Sequence, residues 1–392
     1  MAPEGDAQFQ LVRSHVAYLE WAAEREMAEQ ALNQSSVHVV TITVTESGYA
    51  LDDEGGLDAA APHIAAELAG GDGATVYAYL ARALANRAGG VNLPITILCC
   101  DNIRANGVML RRNLLAYLRL SGRNDMAEWV EAHATFPCSM VDRITPRATP
   151  ELAAEVARQF PAYAAAPVNG ETFIQWVLED DFAGAFPDLA AAGVEVVGNV
   201  HPYEEAKIRI LNGGHTGLAY LGALAGWRTF DQAMADPRLR AHFDALQAED
   251  IIPALPAGIP FDTTAYAAEV ANRFCNAAIE DQLERICMDG FAKMAIFIRP
   301  TLAARLAAGH TPRRAYASIA AWRLFARRAA DGVTEIPYHE PNIDALAPLL
   351  ADGAEEDFAT NAQLWADLPG EYPTFAPDLI AALKEMEASW PA

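Results

Sequence analysis

Apolar positions recur in two rhythms along the chain, and the change of rhythm divides it. From about residue 37 to 144, short β-branched runs alternate with helical stretches: HVVTITV, a helix over 75–87, PITILCC, and a helix over 110–120. That alternation predicts an α/β arrangement with a parallel sheet. PITILCCDN is the clearest strand, because Pro94 opens it, apolar residues fill both faces, and Asp101 and Asn102 follow at its carboxyl end. Ligand sites in open α/β sheets lie at such ends, although the same two residues would also suit the cap of the next helix. Beyond about Val200 the β-type runs disappear, and the spacing predicts helices over 204–226, 263–275, 280–288, 293–308, 312–330 and 376–388. Two domains are expected, an α/β part over 1–199 and a mostly α-helical part over 200–392. A turn-rich passage, IIPALPAGIPFDTT, interrupts the second. Near the start a helix is expected after Glu20, whereas QLVRSHVAYL before it suits a helix or a strand equally.

Composition narrows the partners. The 392 residues, 52% of them hydrophobic, supply material for two cores. Against 28 Lys plus Arg stand 52 Asp plus Glu, a net charge of −24, which repels nucleic acid and anionic membrane surfaces. The richest apolar run, LAYLGALAGW, is about half the length a membrane helix needs, and the acidic, polar start is unlike a secretory signal. The five cysteines form no CxxC pair and are odd in number, so buried, reduced thiols and a cytoplasmic location are expected.

Candidate chemistry concentrates in PYEEAKIRILNGGHTG. At about 100° per helical residue, Glu204, Lys207, Asn212 and His215 fall within one arc of roughly 140°, shared with Ile208 and Leu211. A desolvated lysine can lose its proton near neutrality and then accept one from a substrate hydroxyl. An asparagine amide can hold the oxygen that becomes a carbonyl, and a histidine can orient it. The spacing also suits a surface Glu–Lys pair and a structural histidine. Adjacent Gly213 and Gly214 are costly inside a helix, which points to close approach of a ligand or of another backbone.

KIRILNGGH resembles the Lys, Asn, His signature of the mannitol dehydrogenase family, the polyol-specific long-chain dehydrogenases. VTITVTESGY, ILCCDNIRANG, FPCSMVDRITP, ETFIQWVLEDDF and NRFCNAAIEDQLERICMDGFAKM agree with that family in order. The resemblance implies a Rossmann-like N-terminal domain, a helical C-terminal domain, and metal-independent oxidation of a secondary alcohol of an acyclic polyol to a ketose. NAD is the implied hydride acceptor, with NADP a second option. Carried over motif by motif, Lys207 resembles the general base and Glu204 the group through which it exchanges its proton. Asn212 with Asn106, or second with Asn102, resembles the oxyanion clamp, and His215 an orienter. Asp142, Arg285 and Lys293 resemble substrate-hydroxyl contacts, with Glu46, Gly48 and Asn102 on the cofactor. The implied partner is a polyol or ketose, and the protein is expected as a monomer or homodimer.

The family normally opens with a strand and a GxGxFxRAH turn, and neither is in the chain. GGDG at 70–73 follows a helix and is read as a linker. The Rossmann-like domain is therefore expected to be incomplete. Either the natural protein is a complete dehydrogenase, or the chain is a remnant that binds polyol or a partner without turnover. Smaller departures are the Gly pair at 213–214, Ala277 where proline is usual, and Ala134. PYEEAKIRILN, DGFAK and ADGVTEIPYHEPNIDAL lean towards the D-arabinitol type, with sugar-acid (hexuronate) reductases of the same superfamily as a third option.

Overall fold

The computed structural model describes residues 8–52, 55–146, 148–163 and 166–390, with Glu46 described in its backbone alone. Two compact units emerge. One contains Phe9–Arg143 and Ile174–Glu204, and the other contains Ile144–Phe173 and the chain from Glu205 onward. The expected boundary at 199/200 thus falls at 204/205. The excursion Ile144–Phe173 belongs with the helical unit because its closing residues bond there: Arg273 grips Glu171, and Glu171 in turn accepts the Ile144 N–H.

In the first unit, β1 (Val39–Ile42), β2 (Ile95–Cys99) and β3 (Ala134–Thr135) form a parallel sheet in that order. All five residues of β2 are buried, as an apolar run between two neighbours requires. The helix Val76–Gly89 presents Tyr77, Leu80, Ala81 and Leu84 to the core at helical spacing, and the Thr75 hydroxyl caps it by accepting the Ala78 N–H. At its other end the buried Arg87 guanidinium donates to the carbonyls of Leu32, Leu93 and Pro94 at 2.6, 2.7 and 2.9 Å, closing the turn into β2. A second small sheet joins β4 (Ser139–Asp142) antiparallel to β5 (Gln175–Glu179), and β5 parallel to β6 (Glu195–Val197). The parallel sheet agrees with the sequence pattern, whereas the second sheet and the helix Asn124–His133 were not foreseen. GGDG does lie between two helices, Pro62–Leu68 and Val76–Gly89.

The helical unit is organised around Arg313–Ala330, whose buried residues run without a break from Ser318 to Ala326. A helix covered on all sides has no polar face to show, and small residues at Ser318, Ala320 and Ala321 admit its neighbours. Tyr220, Ile319, Trp322, Phe325, Leu379 and Leu383 meet in its core, each contributing roughly 1.5–3 kcal/mol by leaving water. Buried Arg323 is satisfied by the carbonyls of Leu349 and Ala351, both at 3.1 Å, and by Glu387.

Three corrections to the helix predictions matter for the site. The stretch expected as one helix over 204–226 is α-helical over His201–Ala206, π-helical over Lys207–Gly213, and α-helical again over Gly214–Leu224. Leu246–Ile251 and Met294–Ile298 are also π-helical. The helix expected over 280–288 is only Leu283–Cys287, because Glu280 takes a left-handed backbone (φ 51°) and Gln282 bridges to Thr229. Cys275 is exposed, not buried as expected, since it caps the helix Thr263–Phe274 at the surface. Among the described residues no helix is long and apolar enough to cross a membrane.

Candidate active site

Within the helical unit, Lys207 opens the π segment and is only 7% exposed, flanked by buried Ala206, Ile208, Ile210 and Leu211. The π ladder changes the angular spacing assumed for a regular helix, so the arc reasoned for Lys207, Asn212 and His215 holds in its inward direction but not in its angles. Asn212 and His215 are half-buried. Where the π segment returns to α, the Ile210 carbonyl accepts the Gly214 N–H and, at 2.8 Å, the buried Gln247 side-chain amide. The glycine pair is explained by packing. A Cβ on Gly213 would stand 3.2 Å from the Phe297 carbonyl, and one on Gly214 would run into Gln247 and the Phe243 ring. The other two π segments therefore both meet the first at this pair, one through Gln247 and the other through Phe297.

The His215 ring lies between two aromatic rings, stacked on Phe274 at 4.8 Å and edge-on to Phe230 at 4.4 Å. Its Nε2 faces Asp281 Oδ2 at 3.5 Å. Burial depresses the His215 pKa against the opposing pull of Asp281, so the ring is neutral at neutral pH. Burial alone would raise the Asp281 pKa, but His215 and Arg285 together hold it below the usual carboxylate value. The Arg285 guanidinium is otherwise exposed and donates from Nε to Asp281 Oδ1 at 3.2 Å. The Lys293 ammonium donates to the Ile286 carbonyl at 2.8 Å, and burial lowers its pKa although Asp289 resists. Asp281, Phe230 and Phe274 also line a small crevice with Ile144, Asp231, Arg273, Asn276 and Ile279.

In the sheet unit, Asp101 is a clamp. Its carboxylate accepts the N–H groups of Val44 and Thr45 at 2.9 and 3.1 Å and the Tyr49 hydroxyl at 2.6 Å. These bonds fasten the loop after β1, where Thr45 holds a positive φ of 63°. Gly48 lies in the next turn, where a Cβ would stand 2.9 Å from the Val44 side chain. The side chain of Glu46 lies outside the described residues. Asn102 is exposed just past β2.

Asn106 is 1% exposed, and its amide is spent on backbone: Nδ2 donates to the Asp101 and Ser139 carbonyls at 3.1 and 2.8 Å, and Oδ1 accepts the Ser139 N–H. Gly107 beside it packs on the chain at Phe136 and Pro137, where a Cβ would stand 2.7 Å from the Pro137 carbonyl oxygen. Asn106 therefore braces β2 against β4. Glu204 accepts the Ala105 N–H at 3.1 Å, at the start of the helix Asn106–Leu120, and Asp142 is buried at the end of β4.

Two groups escaped the sequence reading. Asp281 had a signal, its four-residue spacing from Arg285 in EDQLER. Glu171 and Arg273 had none, being 102 positions apart. Among the described residues, no three His, Cys, Asp or Glu side chains are grouped as a metal site would need.

Residues 6–191 match the model of the mannitol dehydrogenase Rossmann domain, and residues 199–386 match that of the mannitol dehydrogenase C-terminal domain. The chain belongs to the mannitol dehydrogenase family. D-arabinitol 4-dehydrogenase of Ralstonia nicotianae is 36% identical over 94% of the chain and 80% of its own length. Mannitol 2-dehydrogenase of Pseudomonas fluorescens, solved as a ternary complex with NAD and D-mannitol, superposes with a TM-score of 0.76 at 33% identity, covering 93% of this chain and 74% of that one. A D-sorbitol dehydrogenase solved free of substrate gives 0.80 at 33% identity, over 95% and 78%. The fold is thus a Rossmann-type domain followed by a mostly helical one, and the protein is an oxidoreductase of the mannitol dehydrogenase family.

Proposed function

We propose that the protein oxidises a secondary hydroxyl of an acyclic polyol, D-mannitol or D-arabinitol, to the ketose, with NAD as hydride acceptor and Lys207 as general base. The observation that carries this reading is Lys207, a residue only 7% exposed, which opens the π segment that contains half-buried Asn212 and leads to half-buried His215. A lysine amine in its neutral form can take the hydroxyl proton as the carbon gives up its hydride. Asn212 donates to the oxygen as it changes from hydroxyl to carbonyl, without competing for the proton.

Of the two asparagines in ILCCDNIRANG, Asn102 is the better second donor, since Asn106 has no amide hydrogen left to give. His215, Arg285 and Lys293 hold the remaining hydroxyls, with Asp142 beside them in role, and Glu204 passes on the proton collected by the base. The names of the relatives favour a polyol over a sugar acid.

NAD, when bound, supplies the hydride acceptor. The donor set fits its nicotinamide side: the carboxyl ends of β1 and β2 carry the Asp101-fastened loop with Gly48, and exposed Asn102. A Gly-rich turn following a strand, which would cradle the pyrophosphate, is not found among the described residues. Free thiols, three of them buried, suit the reducing cytoplasm.

The deciding measurement follows NADH formation from D-mannitol and D-arabinitol by the wild-type chain and by Lys207→Ala. Turnover by the wild type, lowered at least roughly 100-fold in the variant with an unchanged circular dichroism spectrum, is expected. Equal turnover by both would remove Lys207 as the base.

A further inference from the structure

The geometry points to Asp281 as a positioning residue that fixes which nitrogen of His215 carries the proton and holds the Arg285 guanidinium beside it. This rests on the reading of His215 and Arg285 as groups that hold substrate hydroxyls.

Asp281 is placed by backbone, not by chance of rotamer. Left-handed Glu280 turns the chain immediately before it. The Asp281 carbonyl then accepts the Phe230 N–H at 2.9 Å, and Leu283 N–H bonds the Arg228 carbonyl at 2.9 Å, so residues 281–283 are stitched to 228–230. Phe230 is the ring that meets His215 edge-on. One short bridge therefore fixes both the carboxylate and a wall of the imidazole's slot. The carboxylate side chain is 13% exposed and has Arg285 on one oxygen and His215 Nε2 facing the other at 3.5 Å.

The chemistry follows from those contacts. Buried Nε2 has no formed hydrogen bond among the described residues, and the group that faces it is a carboxylate, which can only accept. The ring is neutral, through burial and the nearby positive charges of Arg285 and Lys293, so it carries one proton. That proton belongs on Nε2, pointing at Asp281, and a modest ring rotation closes the bond. Nδ1 is then left with its lone pair, an acceptor for a hydroxyl hydrogen of a polyol. Arg285 complements it, because its guanidinium only donates and so suits the oxygen of a hydroxyl. A single carboxylate thereby presents an acceptor and a donor together, which is the pairing a hydroxyl requires.

Asp281→Asn separates this from a merely structural role. Arg285, which can only donate, retains the amide oxygen, so the NH2 group is turned to Nε2 and drives the proton to Nδ1, while the side-chain volume is kept. The experiment records nitrogen NMR spectra of histidine-labelled protein, with His215 assigned by its absence in H215Q, and the KM and kcat of NAD-dependent polyol oxidation. The wild type is expected to carry the proton on Nε2, and Asp281→Asn to move it. KM should rise roughly tenfold, about the worth of one hydrogen bond, with kcat changed less than about threefold.

A wild-type proton on Nδ1, or a folded Asp281→Asn with the wild-type tautomer or an unaltered KM, would overturn the inference. If Asp281→Asn does not fold, the wild-type tautomer alone decides. Absence of polyol turnover in the wild type would count against the proposed function, and the NMR result would still judge Asp281 independently.

Discussion

Glu171 and Arg273 meet through hydrogen bonds of 2.7 and 3.0 Å with both side chains 3% exposed. Arg273 also lies 4.0 Å over the Phe173 ring, and the second use of Glu171 is to accept the Ile144 N–H at 2.6 Å. The pair consequently holds together both ends of the excursion that interrupts the sheet unit, and Ile144 and Arg273 both border the crevice beside Asp281.

Removing one partner takes from the other a buried, charge-assisted contact of 2.7 Å. Glu171→Gln is expected to cost about 3–5 kcal/mol, and the double variant Glu171→Gln, Arg273→Met less than the sum of the single changes. Urea unfolding of the four proteins provides the test; additive losses would show that the two side chains do not depend on each other.

The glycine pair gives a prediction with an order in it. Gly214→Ala places a methyl group 2.9 Å from the buried Phe243 ring and displaces the Gln247 amide from the Ile210 carbonyl, so a loss of about 1–3 kcal/mol is expected. Gly213→Ala meets only the Phe297 carbonyl at 3.2 Å, and a gain in helix propensity of about 1 kcal/mol offsets it, leaving stability nearly unchanged. Thermal melts of the two variants should rank them in that order.

His242 makes stability depend on acid. Burial and the Arg314 charge lower its pKa to about 4, against an ordinary value of 6.5, while its Nε2 bonds the Ser318 hydroxyl at 2.9 Å. Between these two values the unfolded chain takes up a proton that the folded chain refuses. This contribution is therefore complete above pH 6.5 and is lost as pH falls towards 4. His242→Gln should show a smaller drop in urea midpoint between about pH 7 and pH 4.5 than the wild type, and an identical drop would exclude His242 as the source.

Much of the architecture was legible because it follows from local pattern. The buried run of β2, the Thr75-capped helix and the long apolar periodicity of Arg313–Ala330 each announce their type within about a dozen residues. The candidate chemistry was legible too, since Lys207, Asn212 and His215 lie within nine consecutive positions and belong to one of several motifs in family order.

What the sequence by itself determined is the class of each long element, the two rhythms of the chain, and the residue types of the candidate face at Lys207, Asn212 and His215. Only the tertiary structure decided how that face is built. The π turns at Lys207–Gly213 arise where three helices crowd a glycine pair, which no local pattern records. Asn106, promising by motif, spends its amide on Ser139 and the Asp101 carbonyl, and its neighbour Asn102 stays exposed. Asp281 acquires a role because a left-handed residue and a two-strand bridge turn it towards His215. The physical reason is the same in all three cases: a side chain's partners are set by packing between segments distant in the chain, and spacing along one helix carries no information about them.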